Sequence, residues 1–312
     1  MNRILQTVLA AAVVAAVTVP LSARAENAVN WIRHALRDEL ESATTCGRRQ
    51  AALIGTLERT SRLSLPSIGK VLLVNIPSGV ITAYEDGEAV IESRAIVGRK
   101  STPTPEMDTY VTFVRPNPTW TVPESILARK RWRELLARDP GFFERSGFDV
   151  VLGGRKVRPG EAADHAEEVS AFIQRPGALN ALGRIKIGIA NSQAIYLHDT
   201  NEPDNFEDEV RLASSGCVRV ERIQEIAAWL LGIDPDEMEA MIADGDIGNH
   251  VPPQRVRVII GYWTAWPGAD GRIRYYPDVY GKDGDGDTCR PGQSDAPTAN
   301  GTEAIWTEYK AL

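Results

Sequence analysis

Cysteine is scarce in this 312-residue chain: there are 3, too few for a disulfide-built scaffold or a four-thiolate zinc site. Basic residues are not in excess either. The 35 Lys and Arg stand against 42 Asp and Glu, for a formal charge of −7, which argues against nucleic acid or an anionic membrane as a partner. No His-Glu-x-x-His helix and no glycine-rich phosphate loop is present, so zinc-peptidase and nucleotide chemistry have no foothold. Beyond the N-terminus long apolar runs are missing, and no internal repeat is visible. What is present is enough apolar material for a core, 43% of the residues, in a length that suits one large domain with additions.

The N-terminus reads as an export signal over residues 1–25. Arg3 precedes a charge-free run from Ile4 to Leu21, and Ala23-Arg24-Ala25 offers small residues at the two positions a signal peptidase needs. An uncleaved anchor is the alternative, weakened by Gln6, Pro20 and the many alanines. After cleavage no segment of transmembrane length remains, and the chain works where thiols tend to be oxidised.

Residues 26–66 then read as a helical scaffold. Val29, Ile32, Leu36 and Leu40 recur at helical spacing, a second stretch runs from Gln50 to about Arg62, and Gly47 marks the break. From Lys70 the texture is β: KVLLVNIP, VITAY, EAVIESRAIVG and DTYVTFVRP, separated by Pro-Ser-Gly and Glu-Asp-Gly turns. Residues 124–138 revert to a helical period, and a charged stretch to about 183 looks like an insertion. RIKIGIA and QAIYLH resume the strands. Two helices are expected after Glu221 and at Asp234-Pro235, then a strand pair from 255–266 and 271–281. The last 30 residues, rich in Gly, Asp, Pro and Ser, read as irregular.

The chemistry gathers in YLHDTNEPDNFEDEVRLASSGCVRVER, 196–222. His198 ends a strand, an acidic loop follows, and Cys217 sits in a small-residue turn leading towards a helix. A thiol becomes a useful nucleophile beside a base or a helix N-terminus, and both are on offer. Ser214, Ser215 and Gly216 let backbone approach a substrate, and the Cys217 N–H with a neighbouring amide could stabilise an oxyanion. Spacing alone is modest evidence, since one Cys and one His are often unrelated core residues.

The segment resembles the catalytic motif of the L,D-transpeptidase (YkuD-type) family, a His before a loop that ends in Ser-(His or Ser)-Gly-Cys-x-(Arg or Asn). Here the ending is Ser214-Ser215-Gly216-Cys217-Val218-Arg219. VNIPSGVITAYEDG, IVGRKSTPTP, NPTWTVPESILARK, PGALNALGRIKI and YWTAW…DVYG look like further family blocks, in the family's order from about Leu57 to Asp283. Many members have His where this chain has Ser215. The subgroup with a long insertion between the NPTWTVP and NALG blocks has Ser there, and this chain has that insertion.

The resemblance implies a mainly β, sandwich or barrel-like catalytic domain over 67–283, with a helical lid over about 131–175 and an irregular tail, 284–312. It implies acyl exchange on peptidoglycan stem peptides in the periplasm or cell envelope, without a cofactor or metal. Cys217 would be the nucleophile and His198 the base, oriented by either the backbone carbonyl or the carboxylate of Asp199. Gly216 and Ser215 would serve the oxyanion, and Ser214 and Tyr196 the substrate. Arg219 would either fork a substrate carboxylate or brace the loop. The acceptor would be an amine, on a second stem or on an anchored protein. A carboxypeptidase or amidase on the same substrates is the alternative, and a non-catalytic wall-binding module a third. With Cys217 so assigned, Cys46 and Cys289 remain as a pair flanking the domain, and their bridge would fasten the helices to the tail. Tyr196 and Trp263 could line the cleft, although aromatic core residues are the commoner case. Asp283, Asp285 and Asp287 alternate as in calcium loops but lack the closing Glu. His34, His165 and His250 have no partners at metal-ligand spacing.

Overall fold

The computed structural model describes residues 21–42, 46–268, 270–286 and 289. Most of the expected export signal, residues 1–20, therefore lies outside the described residues, as do Asp287 and most of the tail. Helix α1 (Leu21–Glu41) begins inside that expected signal, and α2 (Gly47–Thr60) follows a short break.

Strands β1 (Lys70–Asn75), β2 (Val80–Glu85), β3 (Glu88–Gly98) and β4 (Met107–Pro116) occupy the runs expected of them. The insertion then supplies β5 (Trp120–Thr121), α3 (Glu124–Lys130), α4 (Trp132–Arg138), α5 (Pro140–Arg145), β6 (Phe148–Leu152), β7 (Arg155–Val157), α6 (Pro159–Ala162) and β8 (Val169–Gln174). The main sheet resumes with β9 (Ile185–Ile189), β10 (Tyr196–His198), β11 (Leu212–Ser214) and β12 (Val218–Val220). Helices α7 (Ile223–Leu231) and α8 (Pro235–Ala243) lead to β13 (Arg257–Gly261) and the hairpin β14 (Ala265–Pro267) and β15 (Ile273–Tyr275).

Nine strands form one sheet in the order β11-β3-β12-β10-β9-β4-β13-β1-β2, and β2 also pairs with β3, which closes it. The closure depends on the length of β3: Glu88 to Arg94 pair with β2, while Ala95 and Ile96 pair with β12. The protein is thus mainly β and barrel-like. Inside lie Leu72, Val74, Ile81, Ile187, Leu197, Val218, Val220 and Val258, all fully buried, with Ile226 and Leu230 of α7 against them. Ile223, Ile226, Ala227 and Leu230 recur at three- and four-residue spacing, so one stripe of α7 is apolar. Each such side chain contributes about 1.5–3 kcal/mol on burial. A second apolar layer, Val29, Leu63, Leu65, Val71, Leu73 and Ile259, lies between the other face of β1 and β13 and the N-terminal segment. Trp263 belongs to this layer, 3% exposed, and lines a groove with Arg59, Asp108 and Arg257 that includes none of Tyr196, His198 or Cys217.

Three expectations need correction. The insertion starts at Trp120 and is not simply helical, because β5-β8-β6-β7 form a separate sheet. Its own core gathers Trp132, Phe143, Phe148 and Phe172, with ring centroids 5.0–5.9 Å apart among these contacts. The helical run 124–138 is two helices, broken at Arg131, whose φ of +52° caps α3 and redirects the chain so that Trp132 enters that core. The closing strand pair is short, since Tyr262 to Thr264 separate β13 from β14.

Cys46, 1% exposed at the start of α2, is joined to Cys289 by a disulfide with Cα atoms 5.1 Å apart. Asp283 reinforces the same junction. Its carboxylate pairs with Arg59 of α2 and accepts from Thr264 Oγ1 at 2.6 Å, so it is already engaged by protein partners.

Candidate active site

The site is built on one face of the strands around β10. Leu197 and His198 pair in parallel register with Val218 and Arg219. Side chains alternate along a strand, so burying Leu197, Val218 and Val220 turns Tyr196, His198 and Arg219 to the opposite face, and Cys217, the residue before β12, meets Tyr196 there. On the antiparallel side, His198 is opposite Lys186 and Tyr196 is opposite Gly188. Ile185, Ile187 and Ile189 take the core face of β9 and leave Lys186 beside His198.

His198 is 5% exposed. Its Nδ1 meets the Asp199 carbonyl at 2.5 Å, so Nδ1 carries the proton and Nε2 has the free lone pair of a base. The carbonyl, not the carboxylate, is thus the orienting group. The Asp199 carboxylate accepts instead from the Arg184 N–H at 2.8 Å. It also lies against Gly183, whose φ of +60° and contact with Asp199 leave no room for a Cβ. Burial pushes the His198 pKa down to about 3; Arg219 and Lys186 add to the fall, and the Asp199 carbonyl opposes it.

Cys217 is the free cysteine among the described residues and is partly exposed. Its thiol lies 3.8 Å from the Ala194 carbonyl, which a left-handed residue (φ +55°) presents. The Tyr196 backbone N–H and hydroxyl both donate towards the sulfur. Close packing raises the thiol pKa, and those two bonds, Lys186 and Arg219 pull against the rise. Both shifts favour the thiol and the neutral imidazole over their charged forms. Helix activation is absent: α7 begins after the whole of β12, a strand of about 10 Å.

The other expected residues divide. Tyr196 directs its hydroxyl at Cys217, receives a hydrogen bond from the Trp120 side chain and stacks edge-on near His198, centroids 5.5 Å apart. It therefore supports the Cys217 thiol. Ser214 does not face a substrate. It is 4% exposed, its hydroxyl donates to the Cys217 carbonyl at 2.5 Å, and it accepts from the Gly216 N–H at 3.1 Å. That bond also engages the Gly216 amide, which was a candidate oxyanion donor. Gly216 itself needs its φ of +115°, a value L side chains rarely adopt. Ser215 points outward and accepts from Arg129 Nη2 at 2.9 Å, so the insertion touches the Cys217 turn. Arg219 pairs with Glu202 at 3.1 Å and braces the 199–211 loop. Glu207 of the same loop pairs with Arg94 at 2.8 Å, so that acidic loop is tied down and not merely solvated. His165 and His250 do have carboxylate neighbours, Glu168 at 3.0 Å and Asp246 at 2.7 Å.

Sequence reasoning missed several supports. Thr104, 1% exposed, donates to the Gly216 carbonyl at 2.9 Å and accepts from the Gly98 N–H at 2.8 Å. Tyr280 bonds both Gly98 O and Thr104 N. Trp120, Arg129 and Lys186 were also missed. Of these only Lys186 had a local signal, as the charged position in an otherwise apolar strand. A groove of about 500 Å³ beside the turn is lined by Thr102, Pro103, Gln193, Ile195, Ser215 and Tyr280, among others.

Residues 69–260 match the L,D-transpeptidase catalytic domain family, YkuD. A Haemophilus influenzae protein named as a putative L,D-transpeptidase is 31% identical over 225 residues, 70% of this chain and 46% of that protein. The chain therefore spans about half the length of that relative. Among solved structures, an L,D-transpeptidase from Mycobacterium smegmatis covers 62% of this chain and 58% of its own, at 12% identity and a TM-score of 0.30. One from Mycobacterium tuberculosis H37Rv covers 62% and 57%, at 15% identity and a TM-score of 0.29. The chain belongs to the L,D-transpeptidase catalytic domain family.

Proposed function

We propose that this protein is a peptidoglycan L,D-transpeptidase using Cys217 as nucleophile and His198 as base. The observation that supports the reading is the pairing of β10 with β12, which puts His198 in register with Arg219, two residues after Cys217, while the Asp199 carbonyl meets the imidazole Nδ1. Cys217 Sγ attacks the carbonyl of the third residue of a tetrapeptide stem as His198 Nε2 takes the thiol proton. The Cys217 N–H donates to the oxyanion. As the C–N bond breaks, His198 returns the proton to the departing amine of the terminal D-Ala. An amine then takes the acyl group from the thioester, giving a 3–3 cross-link or an anchored protein. Water in its place gives a carboxypeptidase. Because the resting thiol is protonated, His198 works as a general base during attack and does not rest as half of an ion pair.

Export to the periplasm fits a chain whose substrate lies in the wall, and the Cys46–Cys289 bridge is consistent with an oxidising compartment. The insertion serves as the lid in this reading, through Arg129 and Trp120.

Intact-mass analysis with a tetrapeptide stem tests the proposal. The expected result is an adduct equal to the stem less its terminal D-Ala, absent in Cys217→Ala and formed at least about 100-fold more slowly in His198→Gln. An adduct that persists in Cys217→Ala overturns the nucleophile. Adding an amine acceptor separates transfer from hydrolysis, since dimers form only in the former.

A further inference from the structure

Strand register lines up four side chains in one row across the catalytic face. Arg115 on β4 is opposite Lys186 on β9, Lys186 is opposite His198 on β10, and His198 is opposite Arg219 on β12. Side chains opposed in this way have Cβ atoms about 4.5–5.5 Å apart. Three cationic groups thus share a row with the candidate base, in a chain of net charge −7.

Arg219 alone among the three has a carboxylate, that of Glu202. Arg115 donates to the neutral Asn249 amide, Nε to Oδ1 at 2.7 Å, with its guanidinium 5.2 Å from the Phe113 ring centre. Lys186 holds its ammonium over the Tyr196 ring, 3.9 Å from the centroid. Among the described residues neither Arg115 nor Lys186 takes part in an ion pair. The Asp199 carboxylate, next to His198 in sequence, is committed to the Arg184 N–H. Like charges directly opposed destabilise a sheet, and Lys186 is half-buried, where burial and then Arg115 disfavour its charge. An anion relieves both penalties. Lys186 is also close enough to Cys217 to act on it electrostatically, so the anion would sit beside the reacting centre.

We propose that Lys186 and Arg115 form the seat for the free carboxylate of the donor's leaving residue. The inference rests on the transpeptidase reading and adds to it the residues that hold the donor's end. Standard bond lengths put the terminal carboxylate carbon about 3–4 Å from the preceding carbonyl carbon. Cys217, the residue before β12, and Arg219 are two residues apart, about 6.6 Å in extended backbone. A leaving residue that extends from Cys217 along the strand direction therefore brings its carboxylate towards the row that holds Lys186.

The test compares two donors, a tetrapeptide stem with a free C-terminal carboxylate and the same peptide as its C-terminal carboxamide. The quantity read is kcat/KM for release of the last residue. The wild type should prefer the acid by about 10- to 100-fold, the range expected of a charge-assisted contact. Lys186→Gln should lower the acid by more than the carboxamide and bring the two donors to within about 3-fold of each other, Arg115→Gln should act in the same direction, and Lys186→Arg should keep most of the preference. Equal use of both donors by the wild type overturns the seat, and so does an equal loss on both in Lys186→Gln. A wild type that releases nothing from either peptide, while Cys217 still alkylates, overturns the transpeptidase reading itself.

Discussion

His198 should stay neutral far below the pH at which a free histidine charges. The ring is 5% exposed, and burial, Arg219 and Lys186 together bring its pKa down to about 3. Against an ordinary value of about 6.5 the difference is worth roughly 5 kcal/mol in favour of the neutral ring. The folded-state pKa is the lower one, so the unfolded chain takes up the proton first as pH falls. The stability tied to this ring is full above about pH 6.5 and declines by about 1.4 kcal/mol per pH unit below it, until the folded ring titrates near 3. Urea unfolding of the wild type and of His198→Gln from pH 7.5 to 4.5 isolates the effect, because carboxylate titrations are common to both chains. Their stability difference should be flat above pH 6.5. It should then move against the wild type by about 3 kcal/mol at pH 4.5. A difference that does not change over this range, or an NMR midpoint for the His198 ring above about 5.5, refutes the burial argument.

Gly183→Ala places a Cβ into the Asp199 carboxylate at a left-handed backbone position. It should lower stability by about 2 kcal/mol or more in urea unfolding and slow acylation, because the Asp199 carbonyl that orients His198 moves with it. Breaking the Cys46–Cys289 bridge by Cys46→Ser opens a loop closed over 243 positions. The chain-entropy ceiling for such a loop is about 5 kcal/mol, read as a lower melting temperature. Denatured, unreduced wild type should titrate one free thiol, and three would refute the bridge.

What could be read locally was read from pattern. KVLLVN, VITAY and RIKIGIA carry β-branched or alternating apolar residues, and each became a strand of the main sheet. Asp234-Pro235 opened a helix, with the Asp234 side chain accepting from the Asp236 N–H. The motif resemblance marked the segment from His198 to Arg219. The remainder depended on contacts between residues distant in sequence. That Arg115, Lys186, His198 and Arg219 share a row follows from three registers among four strands, and no window of sequence contains them. Ser214 was misjudged for a related reason. Its hydroxyl turns inward only because Gly216 adopts φ +115° and folds the turn back on itself. The insertion looked helical because its strands are three to six residues long apart from the two-residue β5, too short for a period-2 pattern to stand out among charged helices.

The row also bears on why Cys217 and His198 both favour their uncharged forms. Lys186 and Arg219 lower the pKa of both Cys217 and His198. Moving a proton from sulfur to imidazole creates an anion that these cations favour and a cation that they oppose. The two effects work against each other, while burial opposes both charges, so the proton stays on sulfur. With a donor carboxylate seated on Lys186 and Arg115, the charge facing His198 falls and its basicity rises, at the moment when a carbonyl stands before Cys217. The group that identifies a correct donor then also strengthens the base. The His198 titration repeated on Cys217→Ser saturated with the acid donor should show an upward shift, and the carboxamide should leave it in place. An equal shift with both donors would trace the effect to burial by the peptide and remove the row from the explanation.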